Sequence, residues 1–520
     1  MKAFYICCIV DPFLEVAMNL NDKYHIEPVY WIGDTQSIRS NNEAEIKEVF
    51  PNIIYQEFYN AWKGIFLEEI ESYANKMFID LEFLTKFSSE QLQAISMMDR
   101  LDYDRHSFPF MERERFYLVL VKKWLACIEL YKPDFVISAV NPHRVFDYVL
   151  YLVCRYKGIP YVSFQYTMNA GRIFPVEYFT NQSVLAQLLD EDYKSNLNKE
   201  IRFSELPEDI QLNYEKMSKE YALARPTYMK QHDIADDKSK KMLFLIRRQL
   251  RGHKLFGDNG LIRNGHKDTY YKNARYSIEE STFSIREWYL KRKQTLKYDA
   301  FLAKYYNSLV SDLSFDIPYI VFFLHYQPEA TTSPLGGIFA NQYLCIETLL
   351  KNTPDNVMIY IKEHPNQFMS HMQGHTKRIR EFYDDLASNP RVKLVPFEID
   401  SFTLMTNALA VSTVTGTVGW EAAVRKKPVI IFGLVWYERM KGVLRVTDDA
   451  SAKKIYSFIM EYKHDENAIF SYLYTVSKHT ILAYHYKGYK EKTGYSHEMS
   501  VKNIYHSLVE VLNLDDIDKR

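Results

Sequence analysis

Two short apolar runs that break off into polar turns set the strongest constraint on this chain. Val357, Met358, Ile359, Tyr360 and Ile361 stop at Lys362, Glu363, His364 and Pro365, and Leu409, Ala410 and Val411 stop at a Ser/Thr/Gly-rich stretch over 412–421. Runs of this length that end in polar or Gly-rich turns and lead into helical periodicity are the pattern of parallel strands in an α/β sheet. Ligands of such sheets sit at the carboxyl ends of the strands, where helix N-termini offer free N–H groups to anions. Both polar clusters are predicted at that edge, with a third at 325–329, after an apolar run over 319–324.

The same rhythm recurs through the chain. Strands are predicted over 4–10, 28–32, 135–140 and 161–164, with helices over 14–21, 46–50, 61–78, 113–131 and 145–156. The unit from 135 to 164 is a strand–helix–strand crossover, which is right-handed almost without exception. Beyond 318, strands over 319–324, 357–361, 392–395, 409–411 and 429–432 alternate with helices over 338–350, 376–386 and from 417. The expectation is an α/β chain with two Rossmann-like domains, 1–205 and 316–450. A basic, mainly helical linker is predicted over 206–315, and a helical extension over 451–520 with a Tyr-rich loop at 484–495.

At 520 residues the chain exceeds one ordinary core, which agrees with two domains. Its 47% hydrophobic and 25% charged content excludes a disordered chain, and a net charge of −1 gives no argument for nucleic acid. The five cysteines have no CxxC spacing, which suits buried thiols in a reducing compartment better than disulfides or zinc. The apolar run at 4–10 ends at Asp11-Pro12 and reads as a strand, not a signal peptide. No apolar segment reaches the roughly 18–20 residues of a membrane helix, so a cytoplasmic location is expected. Residues 238–304 hold seventeen Lys/Arg against six Asp/Glu, including Arg247, Arg248 and Arg251. Such a segment suits a solvated linker or, equally, a peripheral contact with anionic lipid headgroups or a phosphorylated acceptor.

Pro365 keeps His364 on a turn beyond its strand. A ring nitrogen there can donate to a phosphate oxygen, and a protonated imidazole can stabilise a departing phosphate. The alternative is a loop histidine that caps the next helix. Ser412, Thr413, Thr415 and Thr417 supply hydroxyls, while Gly416 and Gly419 allow close backbone approach. Glu421 can accept from ribose hydroxyls or cap its helix. The stretch has neither the Gly-Lys-Ser/Thr of a Walker A loop nor a full dinucleotide fingerprint. Gln327 offers a donor and an acceptor to a base or sugar, and Glu329 a base or a structural carboxylate.

In the N-terminal half His143 follows the strongest strand, with Arg144 and Asp147 within one turn, and is the first candidate for a general base. Asp11, after the first strand, is an alternative nucleophile or base. A covalent intermediate would favour Asp11 or Glu329. Gln165, Asn169 and Arg172 follow the next strand, and Arg172 suits a bidentate grip on a sugar carboxylate. No Asp-x-Asp motif stands at a strand end, so neither a metal nor another cofactor is called for.

Taken together, the stretches 324–329, 362–365 and 412–421 resemble the bacterial capsule polysaccharide biosynthesis glycosyltransferases, relatives of the β-Kdo transferases that use CMP-activated ulosonic acids. The resemblance covers about residues 318–435. It implies a GT-B fold, with the donor in the cleft between two Rossmann-like domains and the nucleotide held by the C-terminal one. Phosphate and cytidine contacts would fall on His364, Pro365, Ser412, Thr413, Thr415, Gly416 and Thr417, with Lys362 and Glu363 in the same donor site. It further implies transfer of Kdo, or of a pseudaminic- or legionaminic-type acid, from a CMP-sugar to a capsular or surface glycan or glycolipid. Other GT-B enzymes (a UDP-sugar transferase, a sugar epimerase, a teichoic-acid-type polymerase) and a catalytically silent capsule-assembly scaffold remain alternatives.

Overall fold

The computed structural model of the chain describes residues 1–9, 11–33, 42–102, 108–167, 171–177, 184–218, 285–329, 331–369, 374–486, 489–490 and 493–517. Strands β1 (Lys2–Ile6), β2 (Glu27–Gly33), β3 (Ile54–Glu57), β4 (Phe135–Ser138), β5 (Tyr161–Tyr166) and β6 (Ile173–Val176) form one sheet in the order β3-β2-β1-β4-β5-β6. Only β6 runs antiparallel to its neighbour. Strands β7 (Tyr319–Phe323), β8 (Met358–Lys362), β9 (Val392–Leu394), β10 (Ala410–Thr413), β11 (Val429–Ile431) and β12 (Val443–Arg445) form a second sheet, β12-β11-β10-β7-β8-β9, parallel throughout.

Each sheet sets its first strand beside its fourth, so the strand order reverses between β1 and β4 and again between β7 and β10. Ligands of open α/β sheets bind at such switch points. The central strands are apolar on both faces because helices cover both. Phe4 and Tyr5 point into opposite cores, as do Val321 and Phe322, following the two-residue period of a strand. The two Rossmann-like sheets make the fold GT-B-like.

Several elements differ from the sequence expectation. The helix predicted over 61–78 is two shorter ones, Phe58–Trp62 and Glu68–Ala74, parted where Gly64 takes φ 73°. The first strand ends at Ile6, not at 10, because Cys7 turns into the left-handed region at φ 56°. Residues 219–284, with most of the basic segment and Arg247, Arg248 and Arg251, lie outside the described residues; 285–304 belong to the helix Ile285–Leu309. No helix among the described residues is long and apolar enough to cross a membrane.

The expected domain boundaries also miss two exchanges. Helices Val184–Leu197 and Glu208–Ser218 pack with the second sheet's layers, where Tyr193, Leu206 and Ile210 share a core with Leu473 and Val476. In return, Ile481 pairs with Ile173 beside β6, and helix His497–Val511 packs on Pro12–Tyr24 through Val501, Ile504 and Leu508. Arg172 sits at this crossing, 6% exposed, and both arms of its guanidinium donate to Asp209 at 2.7 and 3.0 Å. A third N–H reaches the Ser477 carbonyl at 3.3 Å. The fork assigned above to a sugar carboxylate is therefore spent on an internal one. Arg172→Ala should lower unfolding stability by about 2–3 kcal/mol, less than for a wholly buried pair because Asp209 is 28% exposed. Urea denaturation of the two proteins measures the difference.

Candidate functional site

Beyond the end of β8, Glu363 is 1% exposed. Its carboxylate accepts from Arg378 Nε (2.9 Å), the Tyr383 hydroxyl (2.7 Å) and the His364 amide (2.8 Å). Arg378, equally buried, donates its other N–H groups to the Gln327 side-chain oxygen and the His325 carbonyl, each at 3.1 Å. A guanidinium and a carboxylate paired and each further hydrogen-bonded tolerate burial that a lone charge would not. Gln327 Nε2 donates to the Ala340 carbonyl at 2.6 Å, so both ends of this amide are engaged inside the protein. Lys362 Nζ donates to the carbonyls of Pro396 and Phe397 at 3.3 and 3.1 Å, and burial pushes its pKa down to about 8. Gln327, Lys362 and Glu363, counted above as donor ligands, thus build the scaffold beneath the site.

The two polar motifs do not stand on neighbouring strands, because β7 separates β8 from β10. His325, just past β7, spans the gap. Its Nε2 accepts the Thr415 amide N–H at 3.0 Å, with the Thr413 hydroxyl at 3.1 Å, which leaves the ring proton on Nδ1 facing Glu329 at 3.2 Å. The Glu329 carboxylate also takes the Thr331 hydroxyl, so it is tied down on two sides.

His364 both caps and presents a donor. Its Nδ1 accepts the Asn366 amide at 3.1 Å and caps the short turn Pro365–Phe368, so the neutral ring carries its proton on Nε2. Burial pushes the ring pKa down to about 4 despite the opposing pull of Glu329. At neutral pH the group is an uncharged N–H donor; of the two forms read from sequence, a ring N–H donor and a protonated imidazole, burial favours the first.

Within 412–421 the period of the strand sorts the hydroxyls. Ser412 is fully buried with its Oγ unpartnered, and Thr413 bonds inward to His325 and to the Phe323 carbonyl at 3.4 Å. Neither lines the cavity between the two halves. Thr415, Gly416 and Thr417 are half-buried and open the helix Thr417–Val424, with Gly416 at its cap. Thr415 Oγ1 donates to the Thr331 carbonyl at 3.1 Å. The Tyr437 hydroxyl donates to the Gly416 carbonyl, and a side chain at Gly419 would overlap it. One turn on, burial pushes the Glu421 carboxyl up to about 7, with Arg425 pulling the other way.

On the facing side, past β4, His143 Nδ1 lies 2.7 Å from the Asn141 carbonyl. A carbonyl only accepts, so Nδ1 holds the proton and Nε2 keeps its lone pair, the tautomer a general base needs. Burial, followed by Arg144 and Arg100, holds this ring well below the usual imidazole range, against the pull of the Asn141 hydrogen bond. Arg100 donates to the His143 carbonyl and, at 3.4 Å, to the Ser333 carbonyl, stitching the two halves together. Asp147 accepts the Arg144 amide at 2.7 Å and starts the helix Val145–Lys157; burial pushes its carboxyl up to about 7.

A cavity of about 380 Å³ lies between the halves, a volume suited to a small ligand. His143, Arg144 and Tyr166 line one side; Thr415, Thr417, Trp436 and Tyr437 the other; His485, Tyr486 and Tyr489 close one end. Gln165 also lines it, whereas Asn169 lies outside the described residues. Asp11 does not line it and pairs instead with Lys490 at 2.5 Å. Glu329, His364 and His325 do not line it. Sequence reasoning passed over Arg100, Trp436 and His485, and gave Arg144 no role. The Tyr-rich loop was visible only as a break in helical pattern.

Residues 331–486 match the model of a family described as "Capsule polysaccharide biosynthesis protein". Its two ends, Thr331 and Tyr486, both line the cavity. The "Capsule polysaccharide modification protein LipA" of Neisseria meningitidis serogroup B is 33% identical over 103 residues, 20% of this chain and 14% of that protein. Its serogroup A counterpart is 32% identical over the same length, so the chain matches only a small part of these curated relatives. Among solved structures, KpsC of Thermosulfurimonas dismutans, a "beta Kdo 2,4 transferase", is similar at TM-score 0.25 and 10% identity, over 66% of this chain and 79% of that one. A UDP-GlcNAc 2-epimerase from Methanocaldococcus jannaschii is similar at TM-score 0.24 and 13% identity, over 92% and 99%. The fold assignment rests on strand order, not on these superpositions. Residues 331–486 thus match the capsule polysaccharide biosynthesis family, the one that the motifs at 362–365 and 412–421 resemble.

Proposed function

We propose that the protein is a capsule glycosyltransferase that moves an ulosonic or nonulosonic acid, of Kdo, pseudaminic or legionaminic type, from a CMP-sugar to a capsular or surface glycan. The observation that carries this reading is the cavity between the two switch points, with a base-ready histidine on one side and a helix N-terminus on the other. The first-turn amides of Thr417–Val424 and the Thr417 hydroxyl suit a phosphate oxygen. The His364 Nε2–H, near His325 and Glu329 but outside the cavity wall, would add a neutral donor to a nucleotide that extends past the cavity.

In this reading His143 Nε2 takes the proton of an acceptor hydroxyl while the oxygen attacks the anomeric carbon. The bond to the CMP phosphate breaks as the new bond forms, and the charge that develops on the phosphate meets the helix start. Such a single displacement inverts the anomeric centre and leaves Glu329 to position His325. The family match over 331–486 and the curated capsule proteins similar to part of it support the capsule assignment. The sugar and the cytidine base rest on the motif resemblance.

CMP at a hundredfold excess over its dissociation constant should stabilise the protein by about 2.7 kcal/mol in thermal unfolding. Equal shifts with UDP and CDP would replace the donor class, and no shift with any nucleotide would leave a scaffold. His143→Asn should lower kcat by about 100- to 10,000-fold with little change in CMP binding, measured by CMP release. His364→Ala should cost about 100-fold in kcat in the same assay, while the loss of its cap on Asn366 costs only about 1 kcal/mol of stability, so the variant stays folded. Because burial, Arg144 and Arg100 hold the unliganded His143 down against the Asn141 carbonyl, the acid limb of kcat/KM should fall below that of a free imidazole.

A further inference from the structure

The side of the cavity formed after β4 carries more positive charge than it pairs. Arg113, Arg172 and Arg378 each hold a carboxylate at 2.9 Å or closer. Arg144 does not. Its side chain is 11% exposed and lines the cavity, yet its polar neighbours are Asp147 Oδ2 at 3.8 Å and Cys7 Sγ at 3.9 Å. The first lies beyond a normal N–H···O length, and the second is a long hydrogen bond to a weak sulfur acceptor. Asp147 offsets the charge only in part at neutral pH, since burial pushes its carboxyl up to about 7, and the Cys7 thiol, pushed up to about 12, stays neutral.

The guanidinium is nonetheless held in place. It stands 4.9 Å from the centre of the Phe58 ring and 5.9 Å from that of Trp62, contacts that orient a cation without neutralising it. The helix cap at this position is made by the Arg144 backbone amide, so the side chain is not needed for it. A buried, oriented and under-paired arginine on a cavity wall fits a planar anion brought by a ligand.

We propose that Arg144 receives the anionic group of the bound substrate, a sugar carboxylate or a nucleotide phosphate oxygen, through its planar N–H fork. This rests on the reading of the cavity as a nucleotide-sugar site. It gives to Arg144 the role that Arg172, clamped on Asp209, does not fill. Arg144 and Arg100 are the two charges that hold His143 down, so an anion on Arg144 also makes the neighbouring base a stronger one.

The test uses the full chain and three probes in isothermal titration: CMP, which offers only phosphate; N-acetylneuraminic acid, which offers only carboxylate; and CMP-N-acetylneuraminic acid, which offers both. Arg144→Ala should weaken the relevant probes roughly tenfold or more. Loss confined to the two sugar probes assigns the carboxylate, and loss confined to the two nucleotide probes assigns the phosphate. Arg144→Lys, which keeps the charge but not the fork, should recover only part and carries the comparison where the alanine variant fails to fold. Unchanged affinity for all three probes overturns the proposal while the nucleotide-sugar reading stands. If the wild type binds none of them, that reading falls and Arg144 is judged on inorganic phosphate. Thermal stabilisation of the wild type by phosphate that Arg144→Ala loses then supports the anion site; equal or absent stabilisation overturns it.

Discussion

The carboxyl edge of the second sheet depends on one buried ion pair, Glu363 with Arg378. Removing either partner of such a pair leaves an unpaired charge in the interior, at a cost of about 3–5 kcal/mol. The pair survives because further hydrogen bonds support each partner: Tyr383 and the His364 amide on the carboxylate, Gln327 and the His325 carbonyl on the guanidinium. It thereby joins the chain leaving β7 to the chain leaving β8. His325 then extends the order to β10 by accepting the Thr415 amide. Three strand ends become one rigid rim, and only the residues at its lip remain open to a ligand.

The histidines around this rim show how the backbone decides a side chain's chemistry. His364 and His143 each use Nδ1 to contact the main chain, but with opposite polarity. A backbone N–H at His364 draws the lone pair and leaves an Nε2–H donor, whereas a carbonyl at His143 draws the proton and leaves an Nε2 acceptor. Burial keeps both rings uncharged at neutral pH. A neutral N–H donor and a neutral nitrogen acceptor are thus made from the same residue type.

The parallel strands were legible because both of their faces are buried, which writes continuous apolar runs into the sequence. The strands that escaped notice, β3, β6 and β12, lie at sheet edges and are only three or four residues long. Motif 412–421 was visible as a whole, but the sorting of its hydroxyls was not. Thr415 reaches the cavity and Ser412 the core because of where β10 ends, and composition does not mark that point. Arg378 sits between Lys377 and Arg380 in what reads as an ordinary basic turn; its importance comes from Glu363, fifteen residues away. His143 could be located from the strand before it, whereas the tautomer that suits it to act as a base depends on a carbonyl two residues back.

The reciprocal exchange of segments bears on how the protein can be taken apart. Ala483, Val501, Ile504 and Leu508 cover Phe13, Val16 and Leu20 of the first sheet's outer layer, while Tyr193, Leu206 and Ile210 cover Leu473 and Val476 beside the second. A cut at the linker would leave each fragment with a bare apolar flank and its cover attached to the other piece. The halves are therefore not portable modules. A chimera that keeps its cores sealed has to trade both covering segments together with the sheet beneath them, so recombination in this architecture is confined to breakpoints that respect the interleaving.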